Sequence, residues 1–322
     1  MILTKTSFRV SFAGGGSDLP EYYRRSGGAV LSSTIDKAMY IALHPYFHDK
    51  IRIKYSRTED VSSVSEIEHP LVRECLNLVG IERGMEIASF ADVPAGTGMG
   101  SSSAFTVGLL HALYVRTGRS PSAHELATAA CEIELERVAA PIGKQDQFAA
   151  AYGGLNFIRF QPDGGVDVHA VKCSEKTREE LSGRLMLFYI GQERPAASIL
   201  TEQARNMADE EKFRRVGQMV ELAILDQGWQ LKRGLASGIT NDVVESNYRL
   251  AREAGAAGGK LLGAGAGGFL LLSCRPEKQQ QVRAALVALR EMPFALTTEG
   301  SQVLHNDGQN GQLVGQTGGP PR

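Results

Sequence analysis

Two stretches of this chain carry residue types that could do chemistry together. The first is Pro94-Ala-Gly-Thr-Gly-Met-Gly-Ser-Ser-Ser-Ala104, where Gly96, Gly98 and Gly100 alternate and Ser101, Ser102 and Ser103 follow in a row. Glycines admit positive φ and let backbone N–H groups converge on an anion with no Cβ in the way. The hydroxyls can bond phosphate oxygens or a Mg²⁺ ion. A Walker A loop is excluded, because its Lys-Ser/Thr pair is missing. A Rossmann fingerprint is excluded too: the next acidic residue after Asp92 is Glu125, so none sits at ribose distance. A glycine-rich packing turn is the plain alternative for such a pattern taken alone.

The second stretch is Cys131-Glu-Ile-Glu-Leu-Glu-Arg-Val-Ala-Ala-Pro-Ile-Gly-Lys-Gln-Asp-Gln147. Moving a phosphoryl group onto a hydroxyl needs an acceptor or orienter for that hydroxyl, a metal on the phosphates and positive charge for the transition state. Glu132, Glu134 and Glu136 share a predicted helix, and a spacing of two turns adjacent ones to different faces, so at most one should enter a site. Glu132 and Glu136 share a face and read as solvated or paired with Arg137. Residue type alone does not single out Glu134. By the same measure Asp146 reads first as a cap on the next helix, and Arg9 as an exposed strand arginine.

The elements that must hold these residues alternate between strands and helices. Phe8–Phe12, Ala38–Leu43, Ile51–Tyr55 and Met85–Phe90 have strand character, and the last feeds the glycine–serine loop. From Ser102 to Thr117 apolar residues recur at helical spacing, so the loop opens a helix whose free N–H groups and positive dipole end face the same anion. Ser122 with Glu125 fits a capping box for a helix running to about Val138, before Pro141. Helical sequence dominates 196–235, and a glycine-rich segment at 258–268 precedes the strand Phe269–Ser273. Together these suggest an α+β architecture with a boundary near residue 180. Residues 306–322, rich in Gly, Gln and Pro, read as a disordered tail.

Composition narrows the class. The 322 residues are 43% hydrophobic, and 35 Lys+Arg against 36 Asp+Glu leave a net charge of −1. That balance gives no general pull toward nucleic acid or an anionic membrane, so a bound anion must be held by a few placed donors. Cys75, Cys131, Cys173 and Cys274 lie too far apart for a zinc or redox motif. With no signal-like or membrane-length apolar run, a cytoplasmic protein is expected.

The glycine–serine loop resembles the second motif of the GHMP kinases, the superfamily of galactokinase, homoserine kinase, mevalonate kinase and phosphomevalonate kinase. Arg9-Val-Ser-Phe-Ala-Gly-Gly-Gly-Ser-Asp18 resembles their first motif and Lys260-Leu-Leu-Gly-Ala-Gly-Ala-Gly-Gly-Phe-Leu270 their third, in the family's order and across residues 1–305. The resemblance implies a two-domain α+β fold: an N-terminal domain over 1–180 like that of a small-subunit ribosomal protein, and a ferredoxin-like domain over 181–305. It implies ATP held by Pro94, Gly96, Thr97, Gly98, Met99, Gly100, Ser101, Ser102 and Ser103. Mg²⁺ would sit on Glu134 and a loop hydroxyl, Ser101 before Ser102. Asp146 becomes the base or orienting acceptor, and Arg9 its assistant in balancing phosphoryl charge. Gly15, Gly16, Ser17, Asp18, Gly265 and Ala266 become substrate contacts.

The first motif departs from galactokinase, whose Gly-Glu-His-x-Asp is replaced here by small residues ending in Asp18. That string and Pro141–Gly154 look closest to the mannoheptose kinases, including those for D-glycero-D-manno-heptose 7-phosphate in bacterial surface-polysaccharide synthesis. The implied reaction is phosphorylation of the anomeric hydroxyl of a small-molecule sugar or sugar phosphate. A fucokinase- or galactokinase-like sugar 1-kinase and a non-catalytic nucleotide- or sugar-binding relative stay open as alternatives, as does a homodimer. Lys144 is a further candidate for phosphate contact, and Arg24, Arg25, Lys37 and Lys172 for a substrate phosphate.

Overall fold

The computed structural model of the protein describes residues 1–191, 196–221 and 225–308. The chain begins β1 (Ile2–Ala13), α1 (Pro20–Ser26), β2 (Gly28–Pro45), β3 (Ile51–Lys54), β4 (Thr58–Val61), α2 (Pro70–Val79), β5 (Met85–Ala91) and α3 (Ser101–Arg116). It continues with α4 (Ala123–Cys131), α5 (Gln145–Tyr152), β6 (Leu155–Phe160), β7 (Val166–Ala170) and α6 (Glu175–Gly183). The second half holds β8 (Leu185–Tyr189), α7 (Ala196–Asn206), α8 (Glu210–Glu221), α9 (Leu225–Lys232), α10 (Asp242–Glu253), β9 (Gly258–Leu261), β10 (Phe269–Ser273), α11 (Pro276–Ala285), β11 (Arg290–Glu291) and β12 (Ser301–Asn306).

The first sheet is organised around β2, whose 18 residues exceed the span of any single partner on one edge. β1 runs along one side of it; on the other, Met39–Pro45 pair with β5 and Gly28–Ser33 with β6. The β1–β2 register slips between Ser7 and Arg9 and again between Ser11 and Ala13. Bulges of this kind re-aim side chains, and here they bracket Arg9. Helix α3 is buried along most of its length, as expected of a helix apolar all round. It packs on β1 and β2, which fixes the loop before it to the centre of the domain.

The second sheet, ordered β11-β8-β10-β9, is covered on both faces. Strand alternation sends Leu185, Leu187, Phe269 and Leu271 into the core of the first sheet. Met186, Phe188, Leu270 and Leu272 point the other way, into a cluster with Val216, Trp229 and Tyr248. The fold is therefore α+β, with one sheet buried against the other unit's core.

Two expectations change, and a third lies outside the described residues. Residues 301–305, assigned above to the second unit, and Asn306, assigned to the tail, form β12 against β1, with Ile2 opposite Asn306; such pairing over 300 residues leaves no local sign. The tail lies outside the described residues beyond Gly308. The capping box at Ser122 and Glu125 is present, but α4 ends at Cys131 and passes into a π-helical turn, Glu132–Arg137. Val138 N–H donates to Ile133 C=O, and Ala139 at φ 53 then ends the helix before Pro141.

Candidate active site

A cavity between the two sheets collects side chains far apart in sequence. Arg9, Ser11 and Asp18 line it from the first motif, Gly96, Gly98 and Ser101–Ser103 from the glycine–serine loop, and Gln145 and Asp146 from α5. Arg9 is 3% exposed. Its Nε donates to Asp146 Oδ1 at 2.7 Å, its Nη2 lies in ion-pair contact 2.6 Å from the same oxygen, and its Nη1 donates to Gly98 C=O at 2.6 Å. The backbone adds a third tie, Arg9 N–H to Met99 C=O at 3.2 Å. One guanidinium thus couples the carboxylate to the loop, and its planar fork suits that double task. Asp146 lies in the first turn of α5, where no side chain caps the helix, so it is not the cap its residue type first suggests.

The loop enters α3 through Gly100, which takes the N-cap position at φ 74 with no side-chain bond to the helix. The first N–H groups of α3 are thereby left for an outside acceptor. A Cβ on Gly100 would lie 3.2 Å from Asp146 Oδ2, so a side chain there would crowd the carboxylate.

Glu134 is fully buried within the π-turn. Its Oε1 accepts from Ser102 Oγ at 2.5 Å, and its Oε2 from Ser103 Oγ at 2.7 Å and Gln147 Nε2 at 2.5 Å. Burial pushes its carboxyl above the ordinary glutamate range against the pull of these three donors. Glu132 instead bonds Arg137 at 2.6 Å, and Glu136 is exposed. Π-turns often occur at functional sites, and this one turns a single carboxylate of three inward. The hydroxyls bonded to Glu134 are those of Ser102 and Ser103; Ser101, favoured above as the second Mg²⁺ ligand, lines the cavity beside them. The extra residue of the turn sets that register. One carboxylate with a neighbouring hydroxyl suits Mg²⁺, which keeps waters and phosphate oxygens for its other positions. Among the described residues no cluster of three His, Cys, Asp or Glu offers a full protein cage.

Asp18 is 3% exposed. Its Oδ1 accepts from Gly16 N–H at 2.9 Å and its Oδ2 from Gln145 N–H at 3.3 Å. Burial first, and then the charge of Asp146, hold its carboxyl above the usual range. A Cβ on Gly143 would sit 1.9 Å from Asp18 Oδ2, so the approach of the two segments depends on that glycine. Sequence reasoning missed two neighbours. Ser11 Oγ and Gln203 Nε2 line the cavity and are buried with no hydrogen-bond partner among the described residues. Gln203 comes from α7 and lies over Gly16, whose Cβ would be 2.2 Å from its Nε2.

The third motif touches the second directly. A Cβ on Gly263 would lie 2.3 Å from Gly98 Cα, and one on Gly268 2.5 Å from Thr97 C=O. Lys232, on α9, is 5% exposed and donates to the carbonyls of Leu261 and Gly263, bracing the loop. Burial lowers its ammonium to about 8. Lys260 is equally buried and lines the same cavity. Neither lysine was legible as a site residue, because each sits in a run that reads as structure.

Of the remaining expected residues, Gly15, Gly16 and Gly265 line the cavity, whereas four side chains are engaged elsewhere. Ser17 Oγ bonds the backbone of Ala29, Thr97 Oγ1 donates to Pro94 C=O, and Met99 is buried in the core. Ala266 packs in the second cluster, with its N–H on Ile239 C=O. Pro94 is exposed at the loop's start. Lys144 Nζ donates to Gly164 C=O at 2.8 Å, Arg25 pairs with Glu210, and Lys37 with Asp36; Arg24 and Lys172 are exposed.

Comparison with known proteins adds family to geometry. The profile described as GHMP kinases N terminal domain matches residues 68–154, and that described as GHMP kinases C terminal matches 201–290. D-glycero-alpha-D-manno-heptose 7-phosphate kinase of Campylobacter jejuni is 28% identical, over 93% of this chain and 97% of that protein. A mevalonate kinase of Methanothermobacter thermautotrophicus is 30% identical, over 63% of this chain and 69% of that one. The crystal structure of a D-glycero-D-manno-heptose 1-phosphate kinase from Bacteroides thetaiotaomicron shares the fold with a TM-score of 0.74, covering 95% of this chain and 99% of that one at 24% identity. Among the described residues no helix is long and apolar enough to cross a membrane.

Proposed function

This chain belongs to the GHMP kinases, and from that premise we propose that it is an ATP-dependent sugar kinase acting on the anomeric hydroxyl of D-glycero-D-manno-heptose 7-phosphate. The observation that carries the reading is the Arg9 guanidinium, bonded at once to Asp146 and to the Gly98 carbonyl of the loop. It ties a carboxylate able to take a proton to a loop able to hold phosphates. A module that only bound nucleotide would have no use for that coupling. The heptose assignment is supported by the near-full-length similarity to the Campylobacter jejuni enzyme.

The geometry supports a role for each residue. Backbone N–H groups of the loop and of the start of α3 hold the nucleotide phosphates. Asp146 accepts a hydrogen bond from the sugar hydroxyl and then its proton, while Arg9 keeps the carboxylate aimed. Ser11, Asp18 and Gln203 supply acceptors and donors for the other hydroxyls. Glu134 with Ser102 would hold Mg²⁺, which when bound neutralises phosphate charge. Gln147 and Ser103 fix the orientation of Glu134.

Two expected outcomes test this. An ADP-release screen over heptoses, hexoses and their phosphates should give its best turnover with the heptose 7-phosphate. Best turnover on fucose or galactose would replace the substrate, and none on any sugar would remove the kinase. Glu134→Gln, nearly isosteric and still able to bond Ser102 and Ser103, should fold normally. The Mg²⁺ concentration for half-maximal rate should rise roughly tenfold or more, by analogy with the 10–100-fold losses seen at disturbed metal sites. An unchanged Mg²⁺ dependence would take Glu134 out of that role.

A further inference from the structure

Lys260 is a buried cation at a position that strand alternation reserves for the core. It lies opposite Leu271 across the β9–β10 pair. Directly paired residues project from the same face of a sheet, and Leu271 belongs to the first core. Burying an ammonium there is costly unless something pairs with it. Among the described residues no carboxylate forms an ion pair with Lys260. The charges it feels are those of Lys232 and Arg9, both cations, and burial followed by their repulsion holds its ammonium well below the ordinary lysine range. Arg9 is matched by Asp146, and Lys232 rests on two carbonyls. Lys260 is therefore the unmatched charge of the set, and it lines the cavity.

We propose that Lys260, backed by Lys232, forms a phosphate seat on the second-sheet wall of the cavity. The ligand chemistry is a phosphate dianion with oxygens free to accept from an ammonium. Two carriers fit: the terminal phosphoryl of the nucleotide and a phosphomonoester already on the sugar. The proposal rests on the kinase reading only for the identity of that carrier. The seat explains why a lysine replaces an apolar residue on this face. Its charge is unfavourable in the empty cavity and is compensated when phosphate enters.

The test compares the full wild-type chain with Lys260→Met and Lys260→Arg by calorimetric titration. The probes are inorganic phosphate, β,γ-imido-ATP against ADP, and heptose 7-phosphate against heptose. Lys260→Met is expected to weaken inorganic phosphate and at least one phosphate-bearing ligand by about tenfold or more, the range of a lost charge-assisted bond. Lys260→Arg should recover part of the loss. A defect with imido-ATP but not ADP assigns the seat to the transferred phosphoryl. A defect with heptose 7-phosphate but not heptose assigns it to the acceptor. Without ligand the Met variant should melt no lower than wild type, since it removes an uncompensated charge. Unchanged affinity for every phosphate probe, or a lower Tm with unchanged affinity, overturns the seat in favour of a structural lysine. If Lys260→Met does not fold, amine labelling of the wild-type chain decides: bound phosphate slows labelling of Lys260, and unchanged labelling overturns the proposal. A wild-type chain that turns over no sugar, yet loses phosphate in the Met variant, would sink the kinase reading and leave the seat standing.

Discussion

Asp146→Asn is expected to lower kcat by about 10²–10⁴-fold, the usual contribution of a positioned general base, while nucleotide affinity stays close to wild type. Asn fits the space and can still offer an oxygen to the Arg9 Nε and Nη2 that now converge on Oδ1. The fold and the Gly98 contact should therefore persist, and the amide simply cannot take the proton. Steady-state kinetics with direct nucleotide titration separates the two effects. Equal turnover in the two proteins would remove Asp146 from the chemistry. A matching loss of nucleotide affinity would make it a structural partner of Arg9 instead.

Gly263→Ala should be strongly destabilising for so small a substitution. The residue has φ 66, and its new Cβ would meet Gly98 Cα at 2.3 Å and Gly98 C=O at 3.1 Å. Backbone cannot swing aside as a side-chain tip can, so the two loops must separate. Left-handed strain of about 1–2 kcal/mol and overpacking of about 1–3 kcal/mol sum to roughly 2–5 kcal/mol. Gly96→Ala provides the control: it has a similar φ of 73 and nothing within 4 Å of the added Cβ, so it carries the strain without the collision. Thermal melts should show Gly263→Ala well below Gly96→Ala, with weaker nucleotide binding as the loop shifts. Equal melting temperatures would mean that the loops give way freely.

What could be read from the sequence was what short spacing encodes. The strand, glycine loop and apolar helix around Gly96–Ser103 form a local pattern, and the structure keeps it with Gly100 at the N-cap. Ser122 and Glu125 likewise signal their own capping box. The Arg9–Asp146 bond joins residues 137 apart, and only family resemblance set them side by side in advance. The π-turn has no period of its own. Its three glutamates read as an ordinary helix, so nothing in the sequence showed that Ser102 and Ser103 would be the hydroxyls bonded to Glu134. Lys232 and Lys260 escaped because a lysine near the end of an element reads as solvated, and only tertiary packing buries them. Gln203 sits in a polar helix whose buried face meets Gly16, a contact no window of sequence contains.

The return of the chain in β12 has a consequence for how the protein is made. β1 is synthesised long before β12, yet one of its edges is paired only when residues 301–306 arrive. At roughly 5–20 residues per second the delay is on the order of 15–60 s. Throughout that interval the nascent domain presents an unpaired strand edge, the kind of surface on which chains join wrongly. Long-range pairing of this sort also slows folding. A strand made early is thus among the last to be finished, and six residues that follow the second unit complete the sheet of the first.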